Sequence, residues 1–184
     1  WWQRSERRQI FKNLLLSQEQ VDPQEVIMSA QQAQKRGLTS TMTFPVGNIA
    51  PEGSVIKSTA IDPSVINEEG IYYHQGVAKV YLSEKTAIYD IKHDKIKAGD
   101  ILVIIGAGPS GTGMEETYQV TSALKHLSYG KHVSLITDAR FSGVSTGACI
   151  GHVGPEALAG GAIGKLRSGD LIEIKIDCKQ LQGE

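Results

Sequence analysis

Two stretches of this sequence hold residues whose types and spacing could do chemistry. The first is GAGPSGTGMEE, residues 106–116, which follows the apolar run ILVII and ends in two adjacent carboxylates. Gly106, Gly108 and Gly111 form a G-x-G-x-x-G, the spacing of a dinucleotide-binding turn. The preceding strand, an expected following helix and Asp138 at the end of SLITD would complete that pattern. Three features oppose it. Asp138 lies 27 residues past Gly111, where about 20 is usual. Pro109 removes a backbone donor inside the turn. Glu115 and Glu116 would fall in the first helical turn, where a pyrophosphate would have to lie. Thr112-x-x-Glu115 reads more simply as a capping box, which accounts for Glu115 and leaves Glu116 unexplained. A carboxylate beside a glycine loop suits a hard cation such as Mg²⁺, with the remaining ligands supplied from elsewhere. Glu116 is therefore the candidate metal ligand.

The second stretch is TDARFSGVSTGACIGHVGPEALAGG, residues 137–161. Ser142 sits in F-S-G with small neighbours that leave its hydroxyl accessible, so it is a candidate nucleophile or base. A turn with locally bonded hydroxyls is the structural alternative. The surrounding residues do not form a G-x-S-x-G elbow. A serine hydroxyl is a weak base unless a cation or a partner stabilises its alkoxide. His152 is one possible partner, and a lone histidine in GHVGPE also reads as a packed or capping residue. Ser145 and Thr146 follow in the same loop and are candidate substrate contacts by proximity.

The elements that must position these residues can be read in outline. Residues 1 to about 18 carry an apolar stripe of Ile10, Leu14 and Leu15, a helical pattern. A second short helix is expected from Ser29 to Gly37. From Thr39 the texture becomes β-type in TSTMTF, SVIKSTAI and VAKVYL. This places a helical arm at 1–38 and a compact domain at 39–184. Ser83 is placed to cap a helix over 84–93, HVSLIT (132–137) reads as a strand, and GPEALAGG as a helix of small residues. KAGDILVI (97–104) is echoed by RSGDLIEI (167–174), which suggests equivalent turn-to-strand starts in a closed or nearly closed sheet. The expected class is mixed α/β, a β-barrel-like core of short strands flanked by helices.

Bulk properties narrow the function. The 184 residues suffice for a real core, and 19 basic against 20 acidic residues give a net charge of -1. That balance does not point to nucleic acid. No apolar run approaches the roughly 18 residues that span a bilayer, and no signal peptide is evident. Cys149 and Cys178 form no C-x-x-C, which argues against a disulfide framework and favours a reducing, cytoplasmic setting. The opening WWQRSERR lacks a methionine and suggests a fragment.

Together, GNIAPEGSVIK (47–57), GPSGTGMEE and LITDARFSGVSTGACIGHVGPEALAGGAIGKLRSGDLIEIKID resemble the C-terminal domain of the dihydroxy-acid and sugar-acid dehydratases. The wording GTGMEE, with WWQRSERR ahead of it, is most similar to the aldonate branch. Glu115 stands where the branched-chain enzymes more usually have proline, and Ala139 where the family commonly has glycine. The resemblance implies a β-barrel of the swivelling-domain type. It implies an iron–sulfur cluster whose cysteine ligands lie in an N-terminal domain, with none in this chain. It also implies Mg²⁺, for which Glu116 matches the glutamate contributed by the C-terminal domain. Ser142 matches the serine proposed to take the C2 proton of a sugar acid such as D-xylonate. Loss of the C3 hydroxyl then leads to a 2-keto-3-deoxy acid. The expected partners are a sugar-acid substrate, the chain's own N-terminal domain and, at full length, further copies of itself. Nucleic acid and membrane are not expected. The isolated chain is expected to fold and to lack activity. A dinucleotide-binding oxidoreductase domain, a branched-chain dihydroxy-acid dehydratase and a non-catalytic β-barrel interaction module are the alternatives.

Overall fold

The computed structural model describes residues 2–38 and 40–184. Trp1 and Thr39, the second being where the sequence changes to strand-like texture, lie outside the described residues. The chain divides into two compact units, residues 1–40 and 41–184. The first carries three helices, α1 (Trp2–Ser17), α2 (Pro23–Val26) and α3 (Ala30–Lys35). Ser29 caps α3 through a complete capping box with Gln32. Gly37, at φ 70°, takes the left-handed conformation that ends such a helix.

The second unit is built on one eight-stranded sheet. Its strands are β1 (Met42–Thr43), β2 (Gly53–Lys57), β3 (Ile71–Tyr81), β4 (Asp100–Ile104), β6 (Ser134–Thr137), β8 (Cys149–Gly154), β9 (Leu171–Asp177) and β10 (Gln182–Gly183). Their spatial order is β1-β2-β8-β6-β4-β3-β9-β10, with β3, β4, β6 and β8 parallel to one another. The two edges approach each other: the Val46 N–H, just past β1, donates to the Gly183 carbonyl of β10 at 3.1 Å. The sheet is thus a nearly closed barrel, with helices α4 (Glu84–Lys92) and α5 (Gln119–Lys125) packed outside it. Two extended pieces, β5 (Glu116–Thr117) and β7 (Arg140–Phe141), form a separate parallel ladder.

Strand alternation divides the apolar residues between two cores. Ile101 and Val103 of β4 face the barrel interior with Ile56, Ile136, Ile172, Ile174 and Ile176. Leu102 and Ile104 face outward and pack with Leu135 against Ala87, Ile91, Val120 and Leu124 of the two helices. Each fully buried side chain of this size contributes about 1.5–3 kcal/mol. β4 therefore reads as a continuous apolar run because both of its faces are covered.

The repeated Gly-Asp turns are structurally equivalent. Gly99 and Gly169 have φ of 91° and 107°. The carboxylates of Asp100 and Asp170 accept from the backbone N–H groups of Lys97 and Arg167, each at 2.8 Å. Both following strands start at the level of Val77 and run along β3 in opposite directions.

Two helix expectations are corrected. No helix follows directly after the 106–116 loop: Gly113 and Met114 have φ of 75° and 66°, which no α-helix accommodates, and Glu116 is extended. The helix begins only at Gln119. GPEALAGG is not a helix throughout: it holds one short 3-10 turn, Ala157–Ala159, which ends at Gly160, and a second, Ala162–Lys165, follows it. Gly160 has φ 84°, and a Cβ on Gly161 would lie 1.8 Å from the Pro155 carbonyl oxygen.

Candidate functional site

The parallel strands β4 and β6 deliver two loops outside their carboxyl ends, the usual position for a site in such a sheet. The glycine loop leaves Ile104, and the Ser142 loop leaves Thr137. Asp138 joins them. It is 1% exposed, and its carboxylate accepts from the backbone N–H groups of Gly106 at 3.0 Å, Ala107 at 3.1 Å and Ala157 at 2.9 Å. Glu156 closes the other end of the loop, accepting from the Ser110 N–H at 3.0 Å and from the Ser110 hydroxyl.

This geometry disposes of the dinucleotide reading. The amides of a phosphate-binding turn must be free to meet an anion. Here those of Gly106, Ala107 and Ser110 already hold the protein's own carboxylates. Asp138 is buried in this bonding and does not project toward a ribose. The close approaches that require glycine are also internal. A Cβ at Gly111 would lie 2.0 Å from the Gly106 carbonyl oxygen, and one at Gly108 would strike the Glu156 side chain.

Half of the expected capping box is present. The Thr112 hydroxyl accepts the Glu115 N–H at 3.2 Å, but it stabilises a turn and not a helix. A proline at 115 would lack that N–H. Glu116 is exposed and stands opposite Arg140 in the β5–β7 ladder, with Arg140 Nη2 3.7 Å from Glu116 Oε2. Among the described residues no other side chain is paired with its carboxylate, and carboxylate oxygen is a ligand type that Mg²⁺ takes. Among the described residues no group of three or more His, Cys, Asp or Glu side chains could hold a metal by itself.

Ser142 directly follows Phe141, so the same ladder that carries Glu116 fixes the start of the serine loop. Ser142 is 9% exposed, and its hydroxyl oxygen lies 3.5 Å from the Val144 N–H, a long contact. The loop is held from outside at three points. The Lys57 ammonium donates to the Gly143 carbonyl at 3.0 Å, and the Gly147 N–H donates to the Ala60 carbonyl at 2.9 Å. The Thr121 hydroxyl approaches that of Ser145 at 3.2 Å. The hydroxyl of Ser145 is thus buried and engaged, whereas Thr146 is exposed and borders a cavity of about 290 Å³ with Thr121, Leu124, Lys125, Lys131 and Cys149. His152 is exposed, stands edge-on to Phe141 at 6.2 Å, and forms no hydrogen bond with Ser142. Cys149 lies buried in the outer core, and burial holds its thiol protonated by pushing its pKa up.

Three participants were not singled out in the sequence as parts of this arrangement. Glu156 follows a glycine-proline pair, and nothing local signals that it reaches Ser110. Lys57 lies 86 residues from the loop it holds. Glu84, in the first turn of α4, accepts the Val120 N–H at 3.1 Å and so caps α5, whose own N-cap residue Tyr118 supplies no side-chain bond. Its pKa is raised, first by burial. Only the acidic residue at the start of an amphipathic helix hinted at such a role.

The barrel thus carries two loops that converge outside its parallel strands, one bearing Glu116 and the other Ser142. The chain belongs to the dihydroxy-acid/6-phosphogluconate dehydratase family, whose C-terminal domain profile matches residues 25–184. It is 87% identical over its whole length to the D-xylonate dehydratase YjhG of Escherichia coli K12, and 65% identical over 183 residues to the D-xylonate dehydratase YagF of the same organism. It is also 44% identical, over 78% of its length, to the dihydroxy-acid dehydratase of Caldanaerobacter subterraneus. The chain spans 28% of the length of either D-xylonate dehydratase and matches 25% of the third relative.

Proposed function

We propose that this chain is the C-terminal domain of a dehydratase that converts a sugar acid such as D-xylonate to its 2-keto-3-deoxy acid. The observation that carries the reading is the β5–β7 ladder, which sets Glu116 opposite Arg140, two residues before Ser142. An acid able to serve a cation and a serine able to serve as base are thereby held on one support. The high identity to two D-xylonate dehydratases supports the substrate class.

In this reading Ser142, as its alkoxide, takes the proton from C2. The C2–H electron pair forms the C2–C3 double bond as the C3–O bond breaks, and the departing hydroxyl leaves as water after gaining a proton. The resulting enol takes up a proton at C3 and gives up the proton of its C2 hydroxyl, which leaves the 2-keto acid. Bound Mg²⁺ and an iron–sulfur cluster would supply the Lewis acidity that makes hydroxide a tolerable leaving group. From this chain Glu116 would offer one ligand to Mg²⁺, with the others and the cluster cysteines in an N-terminal domain. Of the two candidate substrate contacts, Thr146 is exposed and the Ser145 hydroxyl is engaged by Thr121. Residues 1–38 would then be the arm joining the two domains, and the whole would be an oligomeric cytoplasmic enzyme. Among the described residues no helix is long and apolar enough to cross a membrane.

The test uses the full-length enzyme. Glu116→Gln is expected to weaken Mg²⁺ binding, read by calorimetric titration. Ser142→Ala should abolish dehydration of D-xylonate while leaving metal and iron content unchanged. Parent-like Mg²⁺ affinity in the first variant, or turnover by the second, would overturn the assignment.

A further inference from the structure

A serine that works as an alkoxide needs something to stabilise its charge, and the structure holds a device within this chain that can do so. The Gly143 carbonyl and the Val144 N–H belong to one peptide group. The carbonyl accepts from the Lys57 ammonium at 3.0 Å, and the N–H points at the Ser142 hydroxyl oxygen at 3.5 Å. In a trans peptide these two groups face opposite ways, so the ammonium and the serine lie on opposite sides of one polarisable unit. A cation on the oxygen draws electron density toward itself and makes the N–H a stronger donor. Chains of this kind strengthen cooperatively.

We propose that Lys57 is a positioning residue for the base. Its ammonium polarises the Gly143–Val144 peptide, whose N–H then stabilises negative charge on Ser142 Oγ. The inference rests on the reading of Ser142 as the base that takes the C2 proton. In the resting structure the N–H···O contact is long, as suits a donor whose strength is called on only when the oxygen becomes charged.

The geometry favours a charge effect over simple anchoring. The loop is tied down in two other places, by Gly147 to Ala60 and by Thr121 to Ser145, and both ties are neutral. The other charged or titratable groups near the loop are the Arg140–Glu116 pair on the ladder, His152 beside Phe141, and Asp62, Lys125, Lys131 and Cys149 around the cavity that Thr146 borders. Among the described residues, only Lys57 of these groups bonds to the loop backbone between Ser142 and Gly147. Lys57 is half-buried at the end of β2, a strand fixed on both sides by β1 and β8. Its backbone is therefore held in place.

The experiment compares Lys57→Met, Lys57→Arg and Ser142→Ala in the full-length enzyme with D-xylonate and its C2-deuterated form. Removal of one donor that serves a developing oxyanion costs about 100–1000-fold in kcat, and an effect relayed through a peptide is expected to be smaller, about 10–100-fold. Lys57→Met should lose that much in kcat with KM changed less than about two-fold, because the interaction acts on the transition state. The deuterium isotope effect on kcat should rise, since proton abstraction becomes slower relative to other steps. Lys57→Arg, which keeps the charge, should recover most of the rate. If Lys57→Met lowers the yield of folded enzyme, Lys57→Gln is read in the same way. Parent-like kcat in the neutral variant overturns the proposal, as does an equal loss in the arginine variant or a loss confined to KM. An inactive Ser142→Ala beside a fully active Lys57→Met would sink the relay alone. An active Ser142→Ala would sink the reading of the base beneath it.

Discussion

Replacing Asp138 by asparagine keeps the shape of the side chain and removes its charge and one acceptor. Two of the three bonds, from Gly106 and Ala157, end on Oδ2, and the third, from Ala107, ends on Oδ1. The best the amide can do is place its oxygen at the Oδ2 position, keeping two bonds. Its NH₂ then faces the Ala107 N–H, two donors with no acceptor between them. A buried donor left without a partner costs about 1–3 kcal/mol, and hydrogen bonds to charged acceptors lose about 0.5–1 kcal/mol each when the charge is removed. The expected loss is therefore about 3 kcal/mol. For a chain of this size each kcal/mol moves Tm by about 3 °C, so the midpoint should fall by about 9 °C. Urea denaturation at pH 7 measures the free energy, and amide hydrogen exchange locates it, with faster exchange expected at residues 106, 107 and 157. A loss below about 0.5 kcal/mol, or exchange unchanged at those amides, would refute the view that Asp138 holds the two loops together.

Two further outcomes are expected. Thr43 is fully buried and its hydroxyl has no hydrogen-bond partner among the described residues, so Thr43→Val should be neutral or stabilise by up to about 1 kcal/mol in urea denaturation; a loss would mean the hydroxyl is satisfied in solution. His74 donates through Nε2 to the Gly99 carbonyl at 3.1 Å, its Nδ1 lies against the Ser134 hydroxyl, and burial lowers its pKa below the ordinary 6.5. The unfolded chain takes up that proton first. The contribution of His74 to stability is thus complete above about pH 6.5 and is lost as pH falls below it, and His74→Gln should flatten that part of the stability–pH curve.

The sequence predicted the fold well where the pattern was local. The cap at Ser83, the apolar run of β4 and the twin Gly-Asp turns follow from residues a few positions apart. It failed where tertiary contacts overrode local preference. Thr112 and Glu115 carry a capping signature, yet Glu116 is drawn into pairing with Arg140, 24 residues away, and the helix starts later. The strand at Cys149–Gly154 was hidden by its glycines, and the first half of β3 lay beyond the run that marked it. Of the site, Glu116 and Ser142 were legible as residue types, and the structure sets Glu116 in the two-residue ladder and Ser142 directly after its partner strand. Asp138 was legible as an acid at a strand end, but its amide partners are 19 to 32 residues away. No spacing rule finds Lys57 or Glu156.

The two-residue ladder between Glu116–Thr117 and Arg140–Phe141 has a mechanical consequence. Each strand is too short to stand alone, yet together they act as a strut between two loops that leave different strands of the barrel. Thr117 strengthens the strut, since its buried hydroxyl donates to the Arg140 carbonyl at 3.0 Å. A displacement of the glycine loop is thereby passed to the serine loop in the same sense, because the paired strands run parallel. The ladder fixes the backbone of Glu116 relative to that of Phe141, and the side-chain rotamers of Glu116 and Ser142 set the remaining separation of carboxylate and hydroxyl. Whatever closes over this end of the barrel meets both groups at once.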